Sequence, residues 1–116
     1  MIKGHGIDLV EIKRLEHAVK RWGKTFLNRV FTEQELKYSE HKARPMQHLA
    51  ARFAAKEAIY KAFGTNPKLN FKDIEIYNDR YGRPFCKVKN KSVPVYLAIS
   101  HTDTHAIASA IIEEKA

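Results

Sequence analysis

The segment from Pro45 to Phe63 constrains the fold most, because it predicts a long helix that is apolar on most of its surface. One side of this helix carries large apolar side chains: Leu49, Phe53, Tyr60 and Phe63. The opposite side carries small residues suited to close packing: Ala50, Ala51, Ala54, Ala55, Ala58 and Ala62. A helix that is apolar on most sides is buried on most sides, so we expect it at the centre of the fold.

Four charged residues interrupt this helix: Arg52, Lys56, Glu57 and Lys61. Charges on an enclosed helix are costly unless they are paired or bind a ligand. An ordinary explanation exists, since Glu57 and Lys61 have the spacing of an i, i+4 ion pair and Lys56 can extend its ammonium to solvent. The alternative is that the charges bind a ligand, and their number on one helix favours it.

The rest of the chain predicts helices in the first half and strands in the second, with one strand at the start. We expect a strand over Met1–Asp8, a helix over Glu11–Trp22, a short helix from Thr32 to Ser39, and strands over Phe71–Tyr77, Phe85–Val88, Val95–Ser100 and His105–Glu113. Gly23 is expected to end the first helix, and Thr32 with Glu35 has the spacing of a capping box. This order indicates one α+β domain over residues 1–116 with a largely antiparallel sheet.

The net charge of +8 favours polyanionic partners. Basic residues share one side of the first predicted helix: Lys13, Arg14, His17, Lys20 and Arg21. That side suits an acidic protein and a nucleic-acid backbone equally well. Because the chain has one cysteine, no apolar run of about 20 residues and no long apolar segment at its start, we expect a cytoplasmic protein without a membrane span.

Asp8 stands at the end of a first strand that contains Gly4 and Gly6. Taken alone, Asp8 is best interpreted as a turn or helix-capping residue. If it meets Glu57, the two carboxylates are hard oxygen ligands of the kind that Mg²⁺ takes together with waters and substrate phosphates. The basic residues of the long helix would then face those phosphates.

Two segments resemble the signature motifs of the 4′-phosphopantetheinyl transferase family: Gly6-Ile7-Asp8, and RFAAKEAIYKAFG from Arg52 to Gly64. The pattern KE-x₃-K on a helix, with G-I-D before it and Ser100-His101-Thr102 late in the chain, makes the resemblance specific. It extends over nearly the whole chain and is strongest to the small bacterial type of the family.

The resemblance implies an α+β fold and a homotrimer whose active sites lie between subunits. It implies transfer of the 4′-phosphopantetheine group of coenzyme A to a serine of apo-acyl carrier protein, for fatty acid biosynthesis, with release of adenosine 3′,5′-bisphosphate. Asp8 and Glu57 would hold Mg²⁺, and Lys61 would stabilise charge on the pyrophosphate or help to move the serine proton. The implied coenzyme contacts are Arg44, Arg52, Lys56, Gly64, Pro84, His101 and Thr102.

Arg14 and Arg21 match the surface on which the family docks its acidic carrier protein, which favours a protein partner over nucleic acid. The general base stays open, with a water polarised by Glu57 as one option. A relative that only binds coenzyme A or a carrier is the remaining alternative, against which the three catalytic candidates argue. One departure from the family is the short loop after Gly64, which lacks the further glycines that would offer backbone N–H groups to a phosphate.

Overall fold

The elements of the computed structural model, which describes residues 1–64 and 68–114, follow the predicted order. The helices are α1 (Ile12–Val30), α2 (Glu33–Glu40) and α3 (Pro45–Ala62). The strands are β1 (Ile2–Glu11), β2 (Ile74–Asn78), β3 (Pro84–Val88), β4 (Val95–His101) and β5 (His105–Glu113), with a 3₁₀ turn over Phe71–Asp73 before β2. Within the described ranges, no helix combines the length and the apolar character that a membrane span requires.

The strands form two antiparallel sheets. β1, β5 and β4 form a three-stranded sheet in that order, with β5 in the centre, and β2 and β3 form a separate hairpin. The α+β class with antiparallel pairing is therefore confirmed. The structure adds that the strands divide between two sheets, because the hairpin pairs only with itself in the part of the chain that the structure describes.

The long helix α3 packs across one face of the three-stranded sheet and is buried along most of its length, as predicted. The facing side of β5 consists of small or branched residues: Ala106, Ala108, Ala110 and Ile112. β1 approaches even more closely, since a Cβ atom added to Gly4 or Gly6 would lie 1.9 Å from the carbonyl oxygen of Ala62 or Ala58. The strand backbone therefore rests directly on α3, and Asp8 is held beside the C-terminal half of the helix.

Two predicted boundaries differ from the structure. β1 continues to Glu11, so Asp8 lies within the strand, paired with Ala108, and does not end it. Gly23, with φ 56° and ψ −137°, leaves the helical conformation where the first helix is predicted to end, and a second helical segment follows directly as far as Val30. The strand expected from Phe71 begins only at Ile74. A capping box between Asn70 and Asp73 curls the intervening residues into a 3₁₀ turn.

The capping box predicted at Thr32 is confirmed. The Thr32 hydroxyl accepts a hydrogen bond from the Glu35 backbone N–H at 3.3 Å, and Glu35 Oε1 accepts one from the Thr32 N–H at 2.8 Å. Unlike most capping residues, Glu35 is buried, with 1% of its surface exposed. Its second carboxylate oxygen accepts a hydrogen bond from the Ile76 N–H at 2.7 Å, which ties α2 to β2.

Candidate active site

Asp8 and Lys61 join β1 to the end of α3. The Lys61 ammonium donates to Asp8 Oδ1 at 3.0 Å and to the backbone oxygen of Ile7 at 3.1 Å. The Asp8 side chain is 18% exposed, whereas that of Lys61 is 47% exposed. The i, i+4 ion pair between Glu57 and Lys61, which was the ordinary alternative, is absent among the described residues, because Lys61 contacts Asp8 on the strand instead.

Glu57 lies one turn before Lys61 and is half-buried. Burial raises the pKa of the Glu57 carboxyl group, the charge of Asp8 raises it further, and the Lys61 ammonium opposes both effects. Asp8 and Glu57 lie on elements in direct contact, because the backbone of β1 at Gly6 rests against Ala58 of α3. The charge of Asp8 therefore acts on Glu57, as the magnesium hypothesis requires.

The donor set at this position suits Mg²⁺ better than Zn²⁺. Across residues 1–64 and 68–114, no three His, Cys, Asp or Glu side chains converge on one point. A cation bound by Asp8 and Glu57 would therefore complete its shell with water or substrate oxygens, as Mg²⁺ commonly does. Protein sites for Zn²⁺ usually supply three or four ligands of their own.

Two clefts border the carboxylates. The Asp8 cleft, of about 300 Å³, lies between β1 and α1, and its lining includes Asp8, Arg14, Leu15, Phe26 and Phe53. The Glu57 cleft, of about 740 Å³, is the larger, and its lining includes Arg29, Glu57, Tyr60, Leu69, Asn70 and Phe71. Each carboxylate thus faces a separate cleft, and the Asp8 cleft also contains one of the basic residues predicted to dock a carrier.

A second group of predicted site residues lies near the start of α3 and the turn between β4 and β5. Arg44 pairs with Asp103, with 2.7 Å between Nη1 and Oδ1, and both side chains are exposed. The ring of His101 lies 6.5 Å from that of His48, measured between centroids. The Thr102 hydroxyl accepts two backbone N–H hydrogen bonds within the turn.

Arg52 connects this basic group to the β2–β3 hairpin. It is 4% exposed, its Nη2 donates to Asn78 Oδ1 at 2.7 Å, and its guanidinium lies 4.1 Å from the centroid of the Tyr38 ring. Its Nε is buried and has no hydrogen-bond partner among the described residues. Asn78 is paired with Pro84 in the hairpin, which places Pro84 at the edge of the same group.

His48 belongs to the basic group and was not predicted from the sequence. Burial lowers the pKa of His48, and the positive charges of Arg52 and Lys42 and the proximity of His101 lower it further. A histidine surrounded in this way favours its neutral form. Its position four residues before Arg52, and so on the same side of α3, is the sequence signal that could have identified it.

Lys56 contradicts two expectations. Its side chain is fully enclosed, and its ammonium contacts Glu35 Oε1 at 2.6 Å and the backbone oxygens of Val30, Phe71 and Ile74 at 2.7 to 2.9 Å. It therefore neither extends to solvent nor is available to a coenzyme phosphate. The sequence did not reveal this because Glu35 is far from Lys56 in the chain and is predicted only as a helix cap.

The remaining predicted residues lie apart from the carboxylates. Gly64 ends α3 with φ 80° and borders neither cleft, and Asn66 and Pro67 of the following loop lie outside the described residues. Arg21 is exposed on α1, where its guanidinium lies 5.0 Å from the centroid of the exposed Trp22 ring. The carboxylates and the basic group therefore occupy different surfaces of one chain.

The whole chain resembles known enzymes. Residues 4–110 match the model of the 4′-phosphopantetheinyl transferase superfamily. The chain is 41% identical to a holo-[acyl-carrier-protein] synthase of Thermodesulfovibrio yellowstonii, over 97% of this chain and 99% of that protein. A holo-(acyl-carrier-protein) synthase of Bacillus anthracis, solved in complex with CoA (3′,5′-ADP), superposes with a TM-score of 0.87 at 36% identity, over 99% of each chain.

A second solved structure agrees. The holo-[acyl-carrier-protein] synthase of Helicobacter pylori, in complex with coenzyme A, superposes with a TM-score of 0.85 at 30% identity, over 94% of this chain and 99% of that one. These similarities extend over the elements that carry Asp8, Glu57 and Lys61. The chain belongs to the 4′-phosphopantetheinyl transferase superfamily and is an enzyme of its holo-[acyl-carrier-protein] synthase group.

Proposed function

We propose that this enzyme transfers the 4′-phosphopantetheine group of coenzyme A to a serine of an acyl carrier protein and releases adenosine 3′,5′-bisphosphate. The serine oxygen forms a new bond to the phosphorus next to pantetheine, the bond from that phosphorus to the bridging oxygen breaks, and the serine proton is released. The observation that carries the proposal is the charged group where β1 lies on α3: Lys61 donates to Asp8, and burial and the charge of Asp8 raise the pKa of Glu57 one turn earlier. The product carrier would serve fatty acid biosynthesis.

Asp8 and Glu57 would bind Mg²⁺, which supplies charge neutralisation to the pyrophosphate when it is bound. The raised pKa of Glu57 supports this role, because burial and the charge of Asp8 raise it and a bound cation offsets both effects. Lys61 would donate to a phosphoryl oxygen from its position beside Asp8, and half of its surface is open for that contact.

The coenzyme would be held at both of its ends. Arg44, Arg52, His101 and Thr102, with Pro84 at the edge, would bind the adenosine end, because the two guanidinium groups suit its phosphates. The Glu57 cleft would receive the pantetheine arm. Apolar walls from Tyr60, Leu69 and Phe71, with the amide of Asn70, suit an aliphatic chain that contains amides.

The groups that would bind the two ends of coenzyme A lie apart in one chain. We therefore propose a homotrimer with active sites between its chains. In one chain the basic group borders neither carboxylate cleft, so a neighbour would bring the two together. The outer face of the three-stranded sheet supports the same proposal, because it exposes Ile7, Leu9 and Ile107. Exposed apolar residues that adjoin one another are typical of interaction surfaces.

The acidic carrier would dock on the basic side of α1. Arg14 is exposed on this helix and also lines the Asp8 cleft, so a protein bound there would lie next to the carboxylates. Arg21 and Trp22 extend the same surface with a cation and an exposed aromatic ring.

The test of the proposed function is to mix the enzyme with apo-carrier protein, coenzyme A and Mg²⁺ and to measure the mass of the carrier. We expect the mass to increase by one phosphopantetheine group, and the increase to stop when the metal is chelated. Asp8→Asn should lower the rate by about a hundredfold or more, because it removes one metal ligand and the partner of Lys61.

Asp79→Asn is the matched control for this experiment. The Asp79 carboxylate accepts hydrogen bonds from two backbone N–H groups of the β2–β3 hairpin, and an asparagine can still accept them. Its rate should stay near that of the wild type. An unchanged mass with every component present would contradict the proposed function, and full activity in Asp8→Asn would contradict the metal site.

A further inference from the structure

The Lys56 ammonium joins three segments of the chain that are distant in sequence. It contacts the backbone oxygen of Val30 at the end of α1, that of Phe71 in the 3₁₀ turn, and that of Ile74 at the start of β2. Glu35 of α2 supplies the counter-charge at 2.6 Å. The side chains of Lys56 and Glu35 are both fully shielded from solvent.

This arrangement requires the charged form of Lys56. An ammonium has three N–H donors and no acceptor, whereas a neutral amine would turn its lone pair towards one of the surrounding oxygens. Burial lowers the pKa of Lys56, and the carboxylate of Glu35 opposes that effect. The pair is therefore a buried, hydrogen-bonded cation and anion with no exposed atom.

The acceptors of Lys56 line the Glu57 cleft, as Phe71 does, or are the next residues in the chain to those that line it, as Val30 and Ile74 are. Arg29, next to Val30, forms one wall, and residues from Leu69 to Asp73, which contain the acceptor at Phe71, form the other. Glu57 and Tyr60, which also line the cleft, follow Lys56 on the same helix. The Lys56 ammonium thus links the three segments that line the cleft: the end of α1, the 3₁₀ turn and α3 itself.

We infer that Lys56, with Glu35, is a positioning residue that sets the width of the Glu57 cleft and thereby the placement of the pantetheine arm. This inference rests on the proposed function, since it names the part of the coenzyme that the cleft receives. Lys56 touches neither the substrate nor the metal. Its effect passes through the two walls, so it should change the binding of the arm and not that of the adenosine end.

The test uses the double variant Lys56→Met with Glu35→Gln, which removes both charges and leaves no buried unpaired ion. We expect the KM for coenzyme A to rise by about fivefold or more, with kcat within about twofold of the wild type. The inhibition constant of adenosine 3′,5′-bisphosphate should stay within about twofold, because this molecule lacks the pantetheine arm.

Two further variants distinguish positioning from general stability. Lys56→Arg keeps a buried cation, so it should remain folded, but its planar fork cannot meet the same three oxygens, and an intermediate KM is expected. Ile112→Val, a core change on β5 that borders neither active-site cleft, should lower the melting temperature and leave the KM unchanged.

The possible outcomes separate the two proposals. An unchanged KM in both Lys56 variants, or a parallel rise in KM and in the inhibition constant, would overturn the positioning role while leaving the proposed function intact. A wild-type enzyme that transfers nothing to the carrier would contradict the proposed function and this inference with it.

Discussion

The surroundings of Glu57 disfavour the ionised form of its carboxyl group. The residue is half-buried and close to Asp8, and both conditions favour the protonated carboxyl group. Lys61 compensates only in part, because it is itself paired with Asp8. Functional sites commonly keep such unfavourable arrangements, since the ligand relieves them on binding.

Glu57→Gln should therefore abolish transfer and raise the melting temperature at pH 7.5 in the absence of metal. The folded-state pKa of Glu57 is raised, so ionisation of Glu57 costs stability as the pH rises through that pKa, and glutamine does not ionise. The gain should shrink towards about pH 4, where the carboxyl group is protonated in both states. Thermal unfolding from pH 4 to 8 measures the difference.

Glu33→Gln, an exposed change on α2, is the control for this prediction, and its melting temperature should show no such pH-dependent gain. Added Mg²⁺ should raise the melting temperature of the wild type but not that of Glu57→Gln. A Glu57→Gln protein that is less stable than the wild type at pH 7.5 without metal would contradict the assigned repulsion.

Helix α1 has one side that packs against the core and one basic side that is exposed. Ile12, Leu15 and Val30 are buried against the rest of the fold, whereas the basic residues between them face outwards. The interruption at Gly23 divides the helix into two parts, and the first carries Arg14 and Arg21 on its exposed side and Ile12 and Leu15 on its buried side. A docking surface on the first part would be rigid, because its buried side fixes it to the core.

Reversing two charges on this surface, by Arg14→Glu with Arg21→Glu, should raise the KM for the carrier protein by about tenfold or more. The rise should be smaller at high salt, because salt already screens the attraction in the wild type. The KM for coenzyme A should be unaffected. Initial rates at several carrier and salt concentrations measure these effects.

Lys87→Glu with Lys89→Glu is the matched control for the docking prediction, because it changes the net charge equally on strand β3 and the following turn. If both double variants weaken carrier binding to the same extent, net charge and not a docking surface explains the effect. A selective loss of coenzyme affinity in the α1 variant would also contradict docking there.

One face of the main sheet has no covering layer among the residues that the structure describes. α3 covers the inner face, while the outer face exposes Ile7, Leu9 and Ile107, with the last two in directly paired positions on β1 and β5. Within a single chain, the basic group also lies apart from the carboxylates. An assembly of identical chains would cover the exposed sheet face and would bring the basic group of one chain to the carboxylates of the next.

Ile107→Lys should convert the proposed trimer into monomers and abolish transfer, because it places a charge in the centre of the apolar face. Ile107 borders neither active-site cleft, so the loss would not come from direct contact with the ligand. Light scattering on a size-exclusion column measures the mass of the particle, and the mass assay measures the transfer.

Tyr81→Lys, at a residue that is 80% exposed on the β2–β3 hairpin, is the control for the trimer prediction and should change neither mass nor rate. A wild-type protein that elutes as an active monomer would contradict the trimer. So would an Ile107→Lys protein that keeps its rate in monomeric form.

The sequence predicted what depends on local patterns. The apolar pattern of α3, the strand over His105–Glu113 and the capping box at Thr32 are all visible in short windows and are confirmed. The sequence could not predict the partner of Lys56, because the burial of Glu35 follows from the packing of α2 against α3 and β2. Nor could it predict that Lys61 pairs with Asp8 and not with Glu57, since that depends on where β1 crosses the helix.

The sheet order has a consequence for the synthesis of the protein. β1 pairs only with β5 in its sheet, and every other element lies between these two strands in the sequence. A ribosome that adds residues in order must therefore finish the helices and the hairpin before β1 acquires its partner. Asp8, although it is made before all of these elements, reaches its final position only when β5 is present, so a nascent chain that lacks β5 would not yet have assembled the proposed metal site.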